Sequence, residues 1–377
     1  MSLITRNSSE QTISEIFSLA GISINGSRPW DIQVHRPEFY DRILCGGSLA
    51  LGETYMAGWW DCLSLDQFFF RILRNNLDLK IKKSRSALLC GIKATLSNCQ
   101  SRRKALEVGR KHYDVGNDLF ECMLDKHMTY SCAYWNNETI DLTGAQEAKL
   151  ELICRKVKLE PGMRVLDIGC GWGSFVRYAA QNHGVEAVGI TISKEQAKLA
   201  RKRCAGLPID IRLLDYRDLP EEFDAIVSVG MFEHVGYKNY RHFMKMVNRC
   251  LKPEALFLLH TIGSNNSTHH GDPWFDKYIF QNGMLPSIEQ MGKASELLLV
   301  MEDWHNIGLH YDKTLTNWFA NFDQSWPRLQ DRYSETFYRM WKYYLLSMAG
   351  SFRSRTIQVW QIVFSKNGSL GGYQGCR

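Results

Sequence analysis

The chain has 377 residues, 45% of them hydrophobic and 23% charged, with a formal net charge of +6. This is ordinary globular composition, and it excludes a disordered, fibrous or collagen-like chain. No run of ~18 apolar residues is long enough to span a bilayer, the opening MSLITRNSSEQ lacks an apolar secretory core, and no internal period recurs. Length alone predicts two domains. Eleven cysteines stand singly with no CxxC pair. They read as reduced thiols of a cytoplasmic protein, with neither a disulfide scaffold nor a metal site.

Taken in chain order, residues 1–79 carry short apolar groups and glycine-rich turns, such as CGGSLALGETYMAGWWD at 45–61. They predict a small, mainly helical N-terminal domain. A basic segment follows at 80–107. Between Asp78 and Glu107 stand eight basic residues and no acidic one: Lys80, Lys82, Lys83, Arg85, Lys93, Arg102, Arg103 and Lys104. They outnumber the whole net charge, so the basicity is one patch. Ala87, Leu88, Leu89, Ile92 and Leu96 interleave with it, as in a basic amphipathic helix on a membrane surface. A solvated linker would read the same way. Near anionic lipid each charge contributes roughly 1 kcal/mol. No recognised nucleic-acid module accompanies the patch, so no nucleic-acid partner is expected.

The second domain is expected over 108–377, opening around HYDVGNDLF (112–120). From residue 164 strands and helices alternate. The predicted strands are 164–169, 185–192, 209–215, 223–230 and 255–263. The predicted helices are 174–184, 193–206 with Ser193 as N-cap, and 239–252. Residues 299–308 read as a strand, 312–350 as one or two helices, and 356–366 as a closing strand. This pattern is an α/β fold, a Rossmann-like, doubly wound parallel sheet. Ligands of such sheets sit outside the carboxyl ends of the strands.

VLDIGCGWG (165–173) is a strand running into a glycine loop that opens a helix. Glycines 169, 171 and 173 let backbone approach a ligand closely. Asp167 lies inside the strand, and no third glycine of dinucleotide spacing follows. Both features favour S-adenosylmethionine over a nicotinamide dinucleotide. The acidic residue expected at the end of the second strand is missing, which leaves Thr191 and Gln196 to hold ribose or methionine. LLDYRD supplies Asp215, Tyr216 and Arg217 at the third strand's end, where an adenine would lie. Any one of these polar residues alone reads equally well as a turn cap.

Together with TYSCAYW (129–135), FEHVG (232–236), LLHTIG (258–263), GSLALGETYMAGWW and FRSRTIQVWQIVFS, the loop resembles the cyclopropane fatty acid synthase family over nearly the whole chain. One departure is Ser174, at a helix start where the family often has another glycine. The resemblance implies a class I S-adenosylmethionine-dependent methyltransferase fold. It implies an enzyme that adds a methylene derived from that cofactor across a cis double bond of a phospholipid acyl chain, with bound bicarbonate. It further implies a homodimer, cytoplasmic and peripherally associated with the inner face of a phospholipid bilayer. By motif match the catalytic set is Cys132, Glu233, His260 and Tyr311, with Ile262 through its backbone. Tyr130, Ser131, Asp167, Gly169, Gly171, Thr191, Gln196, Asp215 and Tyr216 would line the cofactor.

The implied chemistry accounts for these residue types. Methyl transfer to an isolated alkene leaves a carbocation, and closing the ring requires loss of one proton from the transferred methyl. That proton is very acidic, so a weak, well-placed base such as bicarbonate suffices. His260, Cys132, Tyr311 and a backbone N–H would hold the anion, while Glu233 would accept its hydroxyl hydrogen and orient it. His234 adjoins Glu233, but neighbouring side chains in a sharp turn diverge. Without the motif, Cys132 reads as a packing residue. Three rival readings remain at this point. They are methylation of a fatty chain without ring closure, methylation of a small-molecule amine, and a lipid-binding protein with a degenerate methyltransferase domain.

Overall fold

Alternate residues of the central strands turn to opposite faces, and both faces are covered. The computed structural model describes residues 3–77 and 116–377, with side chains from residue 9 onward. The basic stretch Lys80–Lys104 and the start of HYDVGNDLF lie outside the described residues. Two compact units result. One takes the described residues up to 77 with His269–Gln281 and Tyr311–Ile357, and the other takes residues 116–268, Asn282–His310 and Gln358–Arg377.

In the first unit, strands β1 (Ile32–Val34) and β2 (Trp60–Cys62) form an antiparallel pair among the helices Leu3–Ser18, Glu38–Met56 and Leu65–Arg74. Leu65, Phe68, Phe69 and Ile72 are buried at helical spacing on the last of these, an apolar stripe that must be covered. Helix Glu335–Arg353 covers it. Gly350 makes this possible, since a Cβ there would lie 2.6 Å from Asp66 O and 2.7 Å from Phe70 N. Tyr343 packs edge-on to Phe69 at 5.1 Å between centroids and tilted on Tyr55 at 5.6 Å. Sequence reading places 269–281 and 311–357 in one domain running from 108. The structure groups them with the N-terminal helices instead, because these aromatic faces are buried there.

In the second unit seven strands lie in the order β5-β4-β3-β6-β7-β9-β8. They are β3 (Arg164–Ile168), β4 (Glu186–Thr191), β5 (Ile209–Leu213), β6 (Phe223–Val229), β7 (Leu251–Ser264), β8 (Val300–Asn306) and β9 (Ile357–Ser365). Val165, Ala187, Ala225 and Leu258 face one core with helices Leu142–Lys156, Ser174–His183 and Lys194–Arg203. Leu166, Val188, Ile226 and Phe257 face the other, with helices Tyr240–Cys250 and Ile288–Ser295. Burial on both sides is why these strands read as continuous apolar runs. Strands β3 to β7 pair in parallel. Strands β8 and β9 pair antiparallel, so the sheet is mixed rather than wholly parallel. The predicted cap is present: Gln196 N donates to Ser193 Oγ at 3.3 Å.

Candidate active site

The glycine loop leaves β3 through three left-handed residues, Gly169 (φ 85°), Gly171 (φ 54°) and Gly173 (φ 83°). A Cβ at Gly169 would strike Met231 Cγ at 2.6 Å, whereas one at Gly171 would meet nothing within 4 Å. The loop is thus pinned at its base and open at its tip. Gly169 N and Cys170 N both donate to Ile190 O at 2.9 Å, tying it to β4. At the helix start, Ser174 Oγ donates to His127 O at 2.8 Å and to Met128 O at 3.1 Å. Those bonds hold the turn before TYSCAYW, where Met128 sits at φ 59°, an uncommon conformation for a side chain of its size. Asp125 accepts from His127 N and Thr129 N at 2.9 and 2.8 Å on the same turn.

Several of the expected cofactor residues are held by their neighbours. Thr191 Oγ1 donates to Gln196 Oε1 at 2.8 Å. Asp215 accepts from Arg217 N at 3.0 Å, and the Arg217 guanidinium stands 5.1 Å from the Tyr216 ring centroid. Tyr130 packs edge-on to Phe120 at 5.1 Å, and Trp172 of the loop tilts on Phe120 at 4.8 Å. Trp172 Nε1 also donates to Asn117 Oδ1 at 3.0 Å. Ser131 is buried and its hydroxyl accepts from Lys149 Nζ at 2.8 Å. Asp167 is buried, and desolvation pushes its carboxyl up to about 7 while Lys149 opposes the rise.

Glu233 follows β6 in a short turn, Phe232–His234. It is 8% exposed. Its Oε1 accepts from Ile262 N at 2.6 Å, while Oε2 has no hydrogen-bond partner among the described residues. Burial pushes this carboxyl up to about 7, against the pull of the Ile262 N–H. His260, buried on the neighbouring strand β7, is driven well below the ordinary histidine value by burial, then by Lys149 and Lys156. Its ring is therefore neutral. Gln361 Nε2 lies 3.4 Å from His260 Nδ1, an arrangement that suits a ring carrying its proton on Nε2. Cys132 is fully buried, with Sγ 3.3 Å from Ala133 O. His234 is half-buried, and desolvation draws its imidazole down to about 4. Tyr311 belongs to the first unit, where its ring packs on Phe352 at 4.6 Å and on Trp318 at 5.7 Å.

Residues 100–362 match the family description mycolic acid cyclopropane synthetase. The chain belongs to that family. It is 55% identical to the cyclopropane-fatty-acyl-phospholipid synthase of Escherichia coli K12, over 93% of this chain and 92% of that protein. It is 33% identical to the tuberculostearic acid methyltransferase UfaA1 of Mycobacterium tuberculosis, over 89% of this chain and 83% of the relative. A solved mycolic acid cyclopropane synthase, CmaA1 complexed with SAH and CTAB, superposes with TM-score 0.65 at 32% identity, covering 69% of this chain and 98% of that one. The chain is a methyltransferase of the cyclopropane synthase family, and its sheet and helices are the S-adenosylmethionine-dependent methyltransferase fold.

Sequence reading overlooked Gln146, Lys149, Asn117, Trp172 and Gln361. For two of them a signal was present. Ala145, Gln146, Lys149, Leu150, Ile153 and Lys156 occupy one buried stripe of helix Leu142–Lys156. A glutamine and two lysines inside such a stripe require buried partners.

Proposed function

We propose that this protein transfers a methylene unit from S-adenosylmethionine to the cis double bond of an unsaturated phospholipid acyl chain and closes a cyclopropane ring, with bicarbonate as base. The observation that carries the reading is Glu233. A buried carboxyl with one oxygen on a backbone N–H and the other without a donor is poorly satisfied. It gains a partner if a hydroxyl-bearing anion is bound. S-adenosylmethionine, when bound, supplies an electrophilic methyl, and bicarbonate the base for one of its protons.

The chain's own work is placement and exclusion of water, because an alkene is a weak nucleophile. The open tip at Gly171 fits close approach by a ligand. Thr191, Gln196 and Tyr216, beyond β4 and β5, are the polar groups for its ribose and adenine ends. Glu233, ionised above about 7, accepts a hydroxyl hydrogen and so orients the anion. His260, neutral with its proton on Nε2, is a donor to it, and Cys132 is a second. The Ile262 N–H holds the Glu233 carboxylate in place. An amine methyltransferase has no use for an anion site of this kind.

Incubation with monounsaturated phospholipid vesicles and S-adenosylmethionine tests the reading, by mass spectrometry and proton spectra of the released chains. A gain of one CH₂ with ring-hydrogen signals is expected. The same gain without ring signals overturns ring closure and favours methylation, as the name of the relative UfaA1 has it. No gain, with cofactor bound, overturns the lipid reading.

The membrane association proposed here is peripheral, at the inner face, and the protein a dimer. No helix among the described residues is long and apolar enough to cross a membrane. The basic segment, including Lys82, Lys83 and Arg85, supports docking on anionic lipid. Reversing those three charges is expected to weaken binding to anionic vesicles, and unchanged binding sinks the idea.

A further inference from the structure

Lys149 is fully buried on helix Leu142–Lys156, and among the described residues its only hydrogen bond runs from Nζ to Ser131 Oγ at 2.8 Å. Burying an ammonium costs several kcal/mol unless it is compensated, so its retention needs a reason. Gln146, one turn earlier on the same face, donates from Nε2 to Ser131 O at 2.9 Å and to Thr129 O at 3.3 Å. Helix and cofactor segment are thus joined twice at Ser131, once through its backbone and once through its hydroxyl. The titratable groups around the ammonium come from three further segments. They are Asp125 on the turn before TYSCAYW, Cys132 beside Ser131, and Asp167 on β3. The same charge acts on His260 of β7. Asp167 Oδ1 has no hydrogen-bond partner among the described residues, so Lys149 is its compensation through space.

We infer that Lys149 is a positioning residue of the methyl-transfer site. Its ammonium fixes the Ser131 hydroxyl and faces the Asp167 carboxyl beneath the glycine loop, so that the cofactor segment and the loop meet at one buried cation. This rests on the reading of Ser131 as a cofactor-site residue. Burial draws the lysine down to about 8, which makes its charge, and hence the tie, sensitive to mildly alkaline pH. Both groups carry their charges between about 7, where Asp167 ionises, and about 8, where Lys149 loses its proton.

The test uses the full chain and S-adenosylhomocysteine binding followed by calorimetry, with thermal unfolding as control for folding. Lys149→Met keeps the apolar stem and removes the charge. It is expected to bind about tenfold or more weakly, the cost of losing a charge-assisted bond. Wild-type affinity is expected to fall as pH rises through about 8, and that fall is absent in K149M. Lys149→Arg, which keeps a charge, is expected to recover part of the loss. K149M affinity within twofold of wild type, or with wild-type pH dependence, overturns the inference. Should K149M not fold, the wild-type pH series decides, because flat affinity across that range overturns it equally. If the pH-dependent binding is found but vesicles yield no cyclopropane, the lipid reading falls and the role of Lys149 stands.

Discussion

Each of the two units has its own kind of internal bonding, and the two kinds differ. In the first, aromatic rings and arginine grips do the work. Arg353 binds both oxygens of Asp312 at 2.8 Å and one oxygen of Asp66 at 2.7 Å. Arg339 donates to Tyr55 O, Trp60 O and Asp61 at 2.6 to 2.9 Å. These carboxylates are met by guanidinium groups with matching geometry, which favours the fold. The second unit buries Lys149, Asp167, Glu233 and His260 and leaves Asp167 Oδ1 and Glu233 Oε2 without hydrogen bonds among the described residues. Each such group is unfavourable to the fold. Buried ionisable groups left in this state are the kind that cluster at functional sites.

The largest effect that would test this contrast is on turnover. Glu233→Gln is expected to lower kcat by about 100-fold or more, the usual scale for removing a group that preorganises charge. Its melting temperature at pH 8 should hold or rise. The sign follows from the shift: an acid whose folded value is raised to about 7 destabilises the fold once ionised, progressively as pH climbs from its unfolded value, and glutamine removes that burden. A melting temperature that drops with activity would mean Glu233 is structural.

The next effect is on the pH profile. Wild-type kcat/KM should rise about tenfold per pH unit below pH 7 and level off between about 7 and about 8, following ionisation of Glu233. Loss of that limb in E233Q is the control.

Gly350→Val reverses the contrast. The added side chain meets Asp66 O and Phe70 N, so stability should fall by about 1–3 kcal/mol. S-adenosylhomocysteine affinity of the folded fraction should not move. Smallest is Ser174→Gly, which deletes two hydrogen bonds to the turn at Met128. A severalfold weaker cofactor affinity is expected, about 1 kcal/mol, and unchanged affinity would make the serine incidental.

Much of this molecule is legible in its sequence, and the reasons are local. Strands β3, β4, β6 and β7 announce themselves because each is apolar on both faces and bounded by glycine or a cap. The glycine loop is legible because positive φ at three close positions admits little else. Two features were not legible, because they depend on residues far apart in sequence. The antiparallel pairing of β8 with β9 depends on the return of residues 357–365. The grouping of 311–357 with the first helices depends on Gly350 meeting Asp66, 284 positions earlier. Motif spacing singled out Glu233 but not its bond to Ile262, and Ser174 stood out only as a departure from the family although its hydroxyl joins two segments.

The position of β9 between β7 and β8 has a kinetic consequence. The fourteen-residue strand β7 is made early but waits for nearly a hundred further residues before its outer neighbour exists. Until then its edge is an unpaired row of amides and carbonyls, open to another chain. Closing such a distant pairing is slow. During synthesis the half-made sheet is therefore a client for whatever shields strand edges in the cell, and a chain cut before residue 357 would be expected to aggregate rather than to lose activity alone.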